Sequence, residues 1–212
     1  MNVHTRSFTL DGAAGLLECA LDAPDPTEFP APRGIALIGH PHPLYGGTMD
    51  NKVVQTLARA FVSIGYVAVR MNFRGVGASA GTHDEGRGET DDMALVHAHL
   101  AQQYPGSPVA LAGFSFGTFV MAQLQQRLEA AGTPAERLIL VGCAAGKWAM
   151  PTVPSNTILI HGEVDDTIPL TAVLDWARPQ DLPVIVIPGA DHFFHRKLQH
   201  IKNLLVEMWR RG

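Results

Sequence analysis

Three short segments carry residue types that could together run nucleophilic chemistry. The first is Gly113-Phe114-Ser115-Phe116-Gly117, which follows the apolar run 109–112 (VALA) and precedes an amphipathic stretch. That context places the serine on a tight strand-to-helix turn, where glycines leave room beside a strained residue and the hydroxyl is lifted clear of the sheet. A serine hydroxyl is a poor nucleophile unless a base takes its proton and a third group orients that base. The second segment, His161-Gly162-Glu163-Val164-Asp165-Asp166, follows the run 157–160 (TILI) and offers an acid beyond a strand end. Asp165 is favoured there, and Asp166 fits the N-cap of a helix that begins near Ile168. The third, Pro188-Gly189-Ala190-Asp191-His192, follows the run 184–187 (VIVI) and sets His192 where a general base must be. His195 falls three residues into the helix expected next, and Asp191 suits its cap. The expected catalytic set is therefore Ser115, Asp165 and His192.

Acyl transfer also needs N–H donors for the oxyanion of a tetrahedral intermediate. The Phe116 N–H, next after the serine at a helix N-terminus, is one candidate. The other should come from the loop that follows 34–39, Gly39-His40-Pro41-His42-Pro43-Leu44-Tyr45-Gly46-Gly47. Pro41 and Pro43 have no N–H, which leaves His42, Leu44 and Tyr45. Tyr45, Phe114 and Trp148 are aromatic residues expected to touch a substrate, and Phe116, which with Phe114 flanks the serine, is a further candidate.

Ten histidines raise the question of a metal, since His40, His42, His161, Asp165 and His192 could share one strand-end mouth. No H-E-x-x-H or Cys/His spacing accompanies them, and His97 and His99 cannot face one way on a helix. Neither a metal nor an organic cofactor is expected. Gly75-x-Gly77 invites a dinucleotide reading, but the third glycine is Gly81 and no helix pattern opens there. Residues 113–117 lack the G-K-[ST] of a phosphate loop. A glycine-rich loop near the mouth, with Arg74 in structural hydrogen bonds, is the favoured reading of 72–81.

The elements that must hold these groups are legible as alternation. Apolar runs at 34–39, 66–71, 109–112, 138–141, 157–160 and 184–187 suit strands buried on both faces. Between them, helical spacing predicts helices over 51–64, 89–104, 116–131, 170–177 and 193–210. Thr90 or Asp91 would cap the second helix and Pro105-Gly106 would end it. An antiparallel hairpin, 7–10 with 15–21 about the turn-like Asp11-Gly12, precedes this pattern, joined to it by a proline-rich loop at 23–33. Strand-helix alternation implies right-handed crossovers and a mostly parallel sheet of about eight strands, a three-layer α/β/α sandwich in one domain over 1–212. In such sheets ligands bind beyond the carboxyl ends of the strands, where all three segments fall.

Composition excludes several function classes. The 212 residues carry a net charge of −4 without a Lys/Arg run, against nucleic-acid binding by a basic patch. Cys19 and Cys143 are too few for a disulfide framework or a Cys-rich zinc site. The N-terminus, MNVHTRSFTL, has no signal-peptide core, and no apolar run approaches the ~18 residues that span a bilayer. A cytoplasmic location is expected, with no nucleic-acid or membrane partner; composition does not bear on oligomeric state.

The three catalytic segments resemble those of the α/β-hydrolase superfamily. The loops HPHPLYGGTMDNKVV (40–54) and NFRGVGAS (72–79) are similar to those of small bacterial hydrolases near its dienelactone-hydrolase-like and prolyl-oligopeptidase-like members. The resemblance implies Ser115 as nucleophile, His192 as base and Asp165 as orienting acid. Aligning His40-Pro41 with the His-Gly that often ends the corresponding strand makes His42 the first choice for the oxyanion donor. Dienelactone hydrolases use a cysteine where this chain has Ser115. Many members insert a helical cap after the strand equivalent to 138–141, but here only 15 residues, 142–156, precede the next strand. The site should therefore be lidless, with an open mouth and little apolar lining. The expected substrate is a small or short-acyl carboxylic ester, with thioesters, peptides or a non-catalytic scaffold as the alternatives.

Overall fold

The computed structural model describes residues 5–210; the reading of the MNVH segment falls outside them. β1 (Thr5–Gly12) and β2 (Gly15–Asp22) form the hairpin, turning at Ala13-Ala14 rather than at Asp11-Gly12. There follow β3 (Gly34–Gly39), α1 (Lys52–Val62), β4 (Tyr66–Met71), α2 (Arg87–Gln103), β5 (Val109–Phe114), α3 (Phe116–Ala130) and β6 (Arg137–Val141). The chain continues through β7 (Ile158–Gly162), α4 (Leu170–Ala177), β8 (Val184–Ile187) and α5 (Leu198–Arg210). The eight strands make one sheet in the order β1-β2-β4-β3-β5-β6-β7-β8. β1 and β2 pair antiparallel, β2 meets β4 antiparallel, and every other pair is parallel.

Alternation along each strand explains why the apolar runs are continuous. Leu37, Val69, Leu111, Leu140 and Leu159 face one core with α2, α3 and α4. Ile38, Ala68, Ala112, Ile139 and Ile160 face the other with α1 and α5. Both faces of the central strands are thus dry, and each fully buried Leu, Ile or Phe contributes about 1.5–3 kcal/mol. No helix lies between β6 and β7, so no cap of helices covers that end of the sheet. Among the described residues no helix is long and apolar enough to cross a membrane.

Two helix starts differ from the sequence expectation. Arg87 opens α2, preceded by Gly86 as N-cap, because the Glu89 carboxylate reaches back to the Gly86 and Asp84 N–H groups, 2.9 Å each. Thr90 and Asp91 lie inside the helix, where Asp91 instead pairs with Arg127. α5 begins at Leu198 rather than Phe193, since Phe194 and Arg196 take φ of 53° and 59°, incompatible with a continuing right-handed helix.

Candidate active site

β5 delivers Ser115 to the carboxyl edge of the sheet in a strained conformation, φ 54° and ψ −123°. Such a backbone costs on the order of 1–3 kcal/mol and persists only where its surroundings over-determine it. Two glycines do this by close approach. A Cβ on Gly113 would sit 2.4 Å from the Gly117 carbonyl oxygen, and one on Gly117 only 2.3 Å from that of Gly39. The first turn of α3 therefore lies directly against β3 and β5. The Ser115 N–H donates to Val141 O at 3.0 Å, tying the turn to β6.

The structure brings Ser115, His192 and Asp165 together. His192 Nε2 lies 3.0 Å from Ser115 Oγ, and its Nδ1 lies 2.7 Å from Asp165 Oδ2. With Nδ1–H donated to the carboxylate, the Nε2 lone pair faces the serine proton. The other carboxylate oxygen, Oδ1, accepts the Thr167 N–H at 2.9 Å and the Ile168 N–H at 2.7 Å. Burial pushes the Asp165 pKa up, but the His192 and Ile168 donors outweigh it and hold the carboxyl below its usual range. The His192 ring packs between Phe114 and Phe193, with centroids 5.1 and 5.2 Å away.

The competing residues go elsewhere. Asp166 accepts the Thr167 hydroxyl and does not cap α4, whose N-cap is Pro169. Asp191 accepts both the backbone N–H and the ring Nδ1–H of His195, in turns that precede α5. His195 is exposed and does not reach Ser115. Phe114 does not line the cleft: its side of β5 faces the α1/α5 core, where it is wholly buried beneath His192. Arg74 makes a bidentate pair with Asp92, both bonds 2.8 Å.

Across the serine, the segment after β3 folds into a single turn of 3-10 helix at Pro43–Tyr45. Leu44 N–H is taken by His42 Nδ1 at 3.2 Å, and the Tyr45 and Gly47 N–H groups by His42 O. Leu44 and Tyr45 are thereby removed as oxyanion donors. No hydrogen bond among the described residues engages the N–H of His42 or of Phe116. The base of this turn is held by His40, a residue whose role the sequence did not disclose. Its Nδ1–H donates to Pro41 O at 2.6 Å and its Nε2 accepts the Phe73 N–H at 2.8 Å. Burial, opposed in part by the Pro41 carbonyl, pushes its pKa down to about 3. His40 immediately follows a strand, so its position at the mouth was legible even though its task was not.

A cleft of about 330 Å³ opens beside Ser115, lined by His42, Tyr45, Phe116, Ala144, Lys147 and Trp148, with Thr167 and Ile168 on the far side. The Trp148 ring stacks at 5.1 Å on Phe119 and meets Phe116 at 4.8 Å. His42 joins the same aromatic wall, 4.9 Å from Phe116 and 4.5 Å from His83. Burial and the neighbouring His83 lower its pKa, with Glu89 and Glu85 acting in opposition. The lining is largely apolar, contrary to the expectation of little apolar surface, because Trp148, packed on Phe116 and Phe119, forms an aromatic wall of the cleft. Among the described residues no group of three or more His, Cys, Asp or Glu side chains is arranged to hold a metal ion. The Cys143 thiol is raised by burial to about 12.

Residues 42–195 match the family described as Serine aminopeptidase, S33. A protein of Rickettsia prowazekii (strain Madrid E), described as uncharacterized, is 32% identical over 81% of this chain and 76% of its own length. A lysophosphatidylserine lipase of Danio rerio is 35% identical over 48% of this chain and 27% of that protein. In structure the chain is similar to an α/β serine hydrolase without lid from Xanthomonas campestris. That match has 37% identity and a TM-score of 0.91, covering 100% of this chain and 96% of the other.

Proposed function

We propose, for a chain that belongs to the serine aminopeptidase S33 family of α/β-hydrolases, the hydrolysis of small carboxylic esters through an acyl-enzyme on Ser115. One observation carries this reading: His192 is hydrogen-bonded to Ser115 Oγ through Nε2 and to buried Asp165 through Nδ1. In the first half-reaction Ser115 Oγ attacks the ester carbonyl carbon while His192 Nε2 takes its proton. The Phe116 and His42 N–H groups hold the oxyanion. Collapse breaks the bond to the alkoxide, which leaves with the proton from His192. Water then attacks the acyl-serine by the same route, releasing the acid and restoring the hydroxyl.

The cleft lining supports an ester over an amino-terminal peptide. An aminopeptidase must neutralise a substrate ammonium, yet the ionised side chain in this lining is the cation Lys147. Tyr45 and Trp148 flank the acyl space, and its size suits a short acyl or aryl group. A second reading, an ester carried on an amphiphile, is favoured by exposed Leu44 and Tyr45 on the turn that lines the cleft and by exposed Phe193 against His192. The Danio rerio relative is named for a lipid substrate of this kind. Thioesters and peptides share the same acyl-serine route.

Replacing Ser115 by Ala should lower kcat by about 10⁶ on any substrate the enzyme turns over. Nitrophenyl esters of increasing acyl length, with a thioester, an aminoacyl amide and a lysophospholipid alongside, would rank the classes. Fluorophosphonate labelling that is absent in wild type, or that survives Ser115→Ala, would remove the serine nucleophile from the reading.

A further inference from the structure

His161, inside β7, is fully buried and takes no part in the reaction as written above. Its Nε2 lies 2.9 Å from the Ile168 carbonyl oxygen and 3.4 Å from Asp165 Oδ2. Both neighbours are acceptors, so Nε2 carries the hydrogen. Nδ1 then holds a lone pair, and it has no partner among the described residues. A buried polar atom without a partner forfeits its hydration with nothing to replace it. Leucine or isoleucine, which occupy the neighbouring positions Leu159 and Ile160, would avoid that cost. Something at Nε2 must offset it.

The geometry at Ile168 supplies the reason. Its N–H donates to Asp165 Oδ1 at 2.7 Å, while its C=O accepts from His161. The residue that holds the carboxylate is therefore itself held from below by His161. Two imidazoles also converge on Oδ2, with His192 at 2.7 Å and His161 at 3.4 Å. We propose that His161 is a positioning residue for the Asp165–His192 pair: through the Ile168 carbonyl it fixes the turn that holds the carboxylate, and its Nε2–H flanks Oδ2. The inference rests on the serine-hydrolase reading of the site.

A second proton, on Nδ1, would be buried without an acceptor. Burial lowers the His161 pKa, opposed by the Ile168 carbonyl and Asp165 and reinforced by His192. Asp165 and His192 are the titratable groups that act on it. The ring therefore stays neutral while His192 gains and loses its proton, and the developing positive charge stays on the imidazole that faces Ser115.

The test compares full-length His161→Leu and His161→Gln with wild type and Ser115→Ala. The measurements are the pH-rate profile of ester hydrolysis, the rate of fluorophosphonate labelling across pH, and the thermal melt. In His161→Leu, kcat should fall about 10- to 100-fold, by analogy with the outer partners that orient metal-ligating side chains, with KM little changed. The acid limb of kcat/KM should move to lower pH, because a loosely held carboxylate supports the His192 imidazolium less. Glutamine, whose amide can donate from near the Nε2 position, should recover most of both. A folded His161→Leu enzyme with unchanged kcat and acid limb would overturn the proposal, and so would a loss that glutamine does not repair and that leaves the limb in place. If the leucine variant does not fold, His161→Asn replaces it, since its amide lies nearer Nδ1. Equal activity of folded Asn and Gln variants would then refute the role. Failure of wild type to label at Ser115 would instead remove the underlying reading.

Discussion

The two sides of Ser115 are built on different terms. On the acid–base side, Asp165 and His192 are 7% and 2% exposed, and both carboxylate oxygens are bonded. On the acyl side, Leu44 and Tyr45 are 72% and 87% exposed on a single turn, and the His42 and Phe116 N–H groups have no hydrogen-bond partner among the described residues. The contrast follows from what each side must do in the reaction proposed above. Charge that shuttles between His192 and Ser115 gains most from fixed dipoles away from water. The acyl side must keep its donors free for an oxyanion and admit a substrate. Chemistry should therefore be sensitive to the buried side whatever the substrate, and specificity to the exposed one.

The sharpest way to break this comparison is Asp165→Asn. The amide would favour the wrong His192 tautomer, with an expected loss of about 10⁴ in kcat. That loss should be uniform across esters of different acyl length; a loss that varied with acyl length would dissolve the division. A stability effect of several kcal/mol at its acid extreme comes next. The folded pKa of His40 is about 3 against an ordinary 6.5, so the unfolded chain binds more protons below pH 6.5. Stability should then fall as pH drops from 6.5 toward 3. His161, also lowered by burial, adds with the same sign. The depressed Asp165 carboxyl contributes stability above its unfolded pKa that is lost as pH falls through the folded one. Thermal melts between pH 7 and 4 should show the decline, and His40→Gln should flatten part of it. An unchanged slope in that variant would mean that protonation of His40 does not set the decline.

On the acyl side, the backbone itself can be tested at His42. Its φ of −54° and ψ of 125° are open to proline, so His42→Pro deletes the N–H with little backbone strain. Loss of one oxyanion donor costs about 10²–10³ in kcat. His42→Ala keeps the N–H and should cost much less, about tenfold or under. Equal losses in the two variants would place the role of His42 in its ring.

Much of this arrangement was legible because its causes are local. Six apolar runs marked β3 to β8, since strands buried on both faces leave no polar alternation to obscure them. Ser115, Asp165 and His192 each stand just past such a run, and chain position alone placed them at one edge of a parallel sheet. What escaped depends on contacts across the chain. His40 and His161 look like ordinary histidines until Phe73 and Ile168 arrive beside them. Glu89 moves the start of α2 because its carboxylate reaches back to Gly86 and Asp84. Phe114 resembled a substrate contact by its adjacency to Ser115, but strand alternation turns it to the opposite core. The open mouth was foreseeable from the short segment between β6 and β7, whereas its aromatic lining depends on how Trp148 lies over Phe116 and Phe119.

That lining supports the smallest predicted effect. Trp148 is half-buried, packed on Phe116 and Phe119, and no hydrogen bond or ring contact among the described residues joins it to His192 or Asp165. Truncating it to alanine removes one wall of the cleft, so the loss should appear in substrate discrimination more than in turnover. One or two methylenes of lost contact correspond to about 1–3 kcal/mol of discrimination in an apolar pocket. For Trp148→Ala, kcat/KM for aryl and medium-chain esters should fall about tenfold while that for acetyl esters barely changes. The ratio between the two substrates, measured in one preparation, cancels any loss of folded enzyme. A proportional fall for both substrates would show that the aromatic wall supports the elbow at Ser115, and the boundary between the two sides would then run outside Trp148.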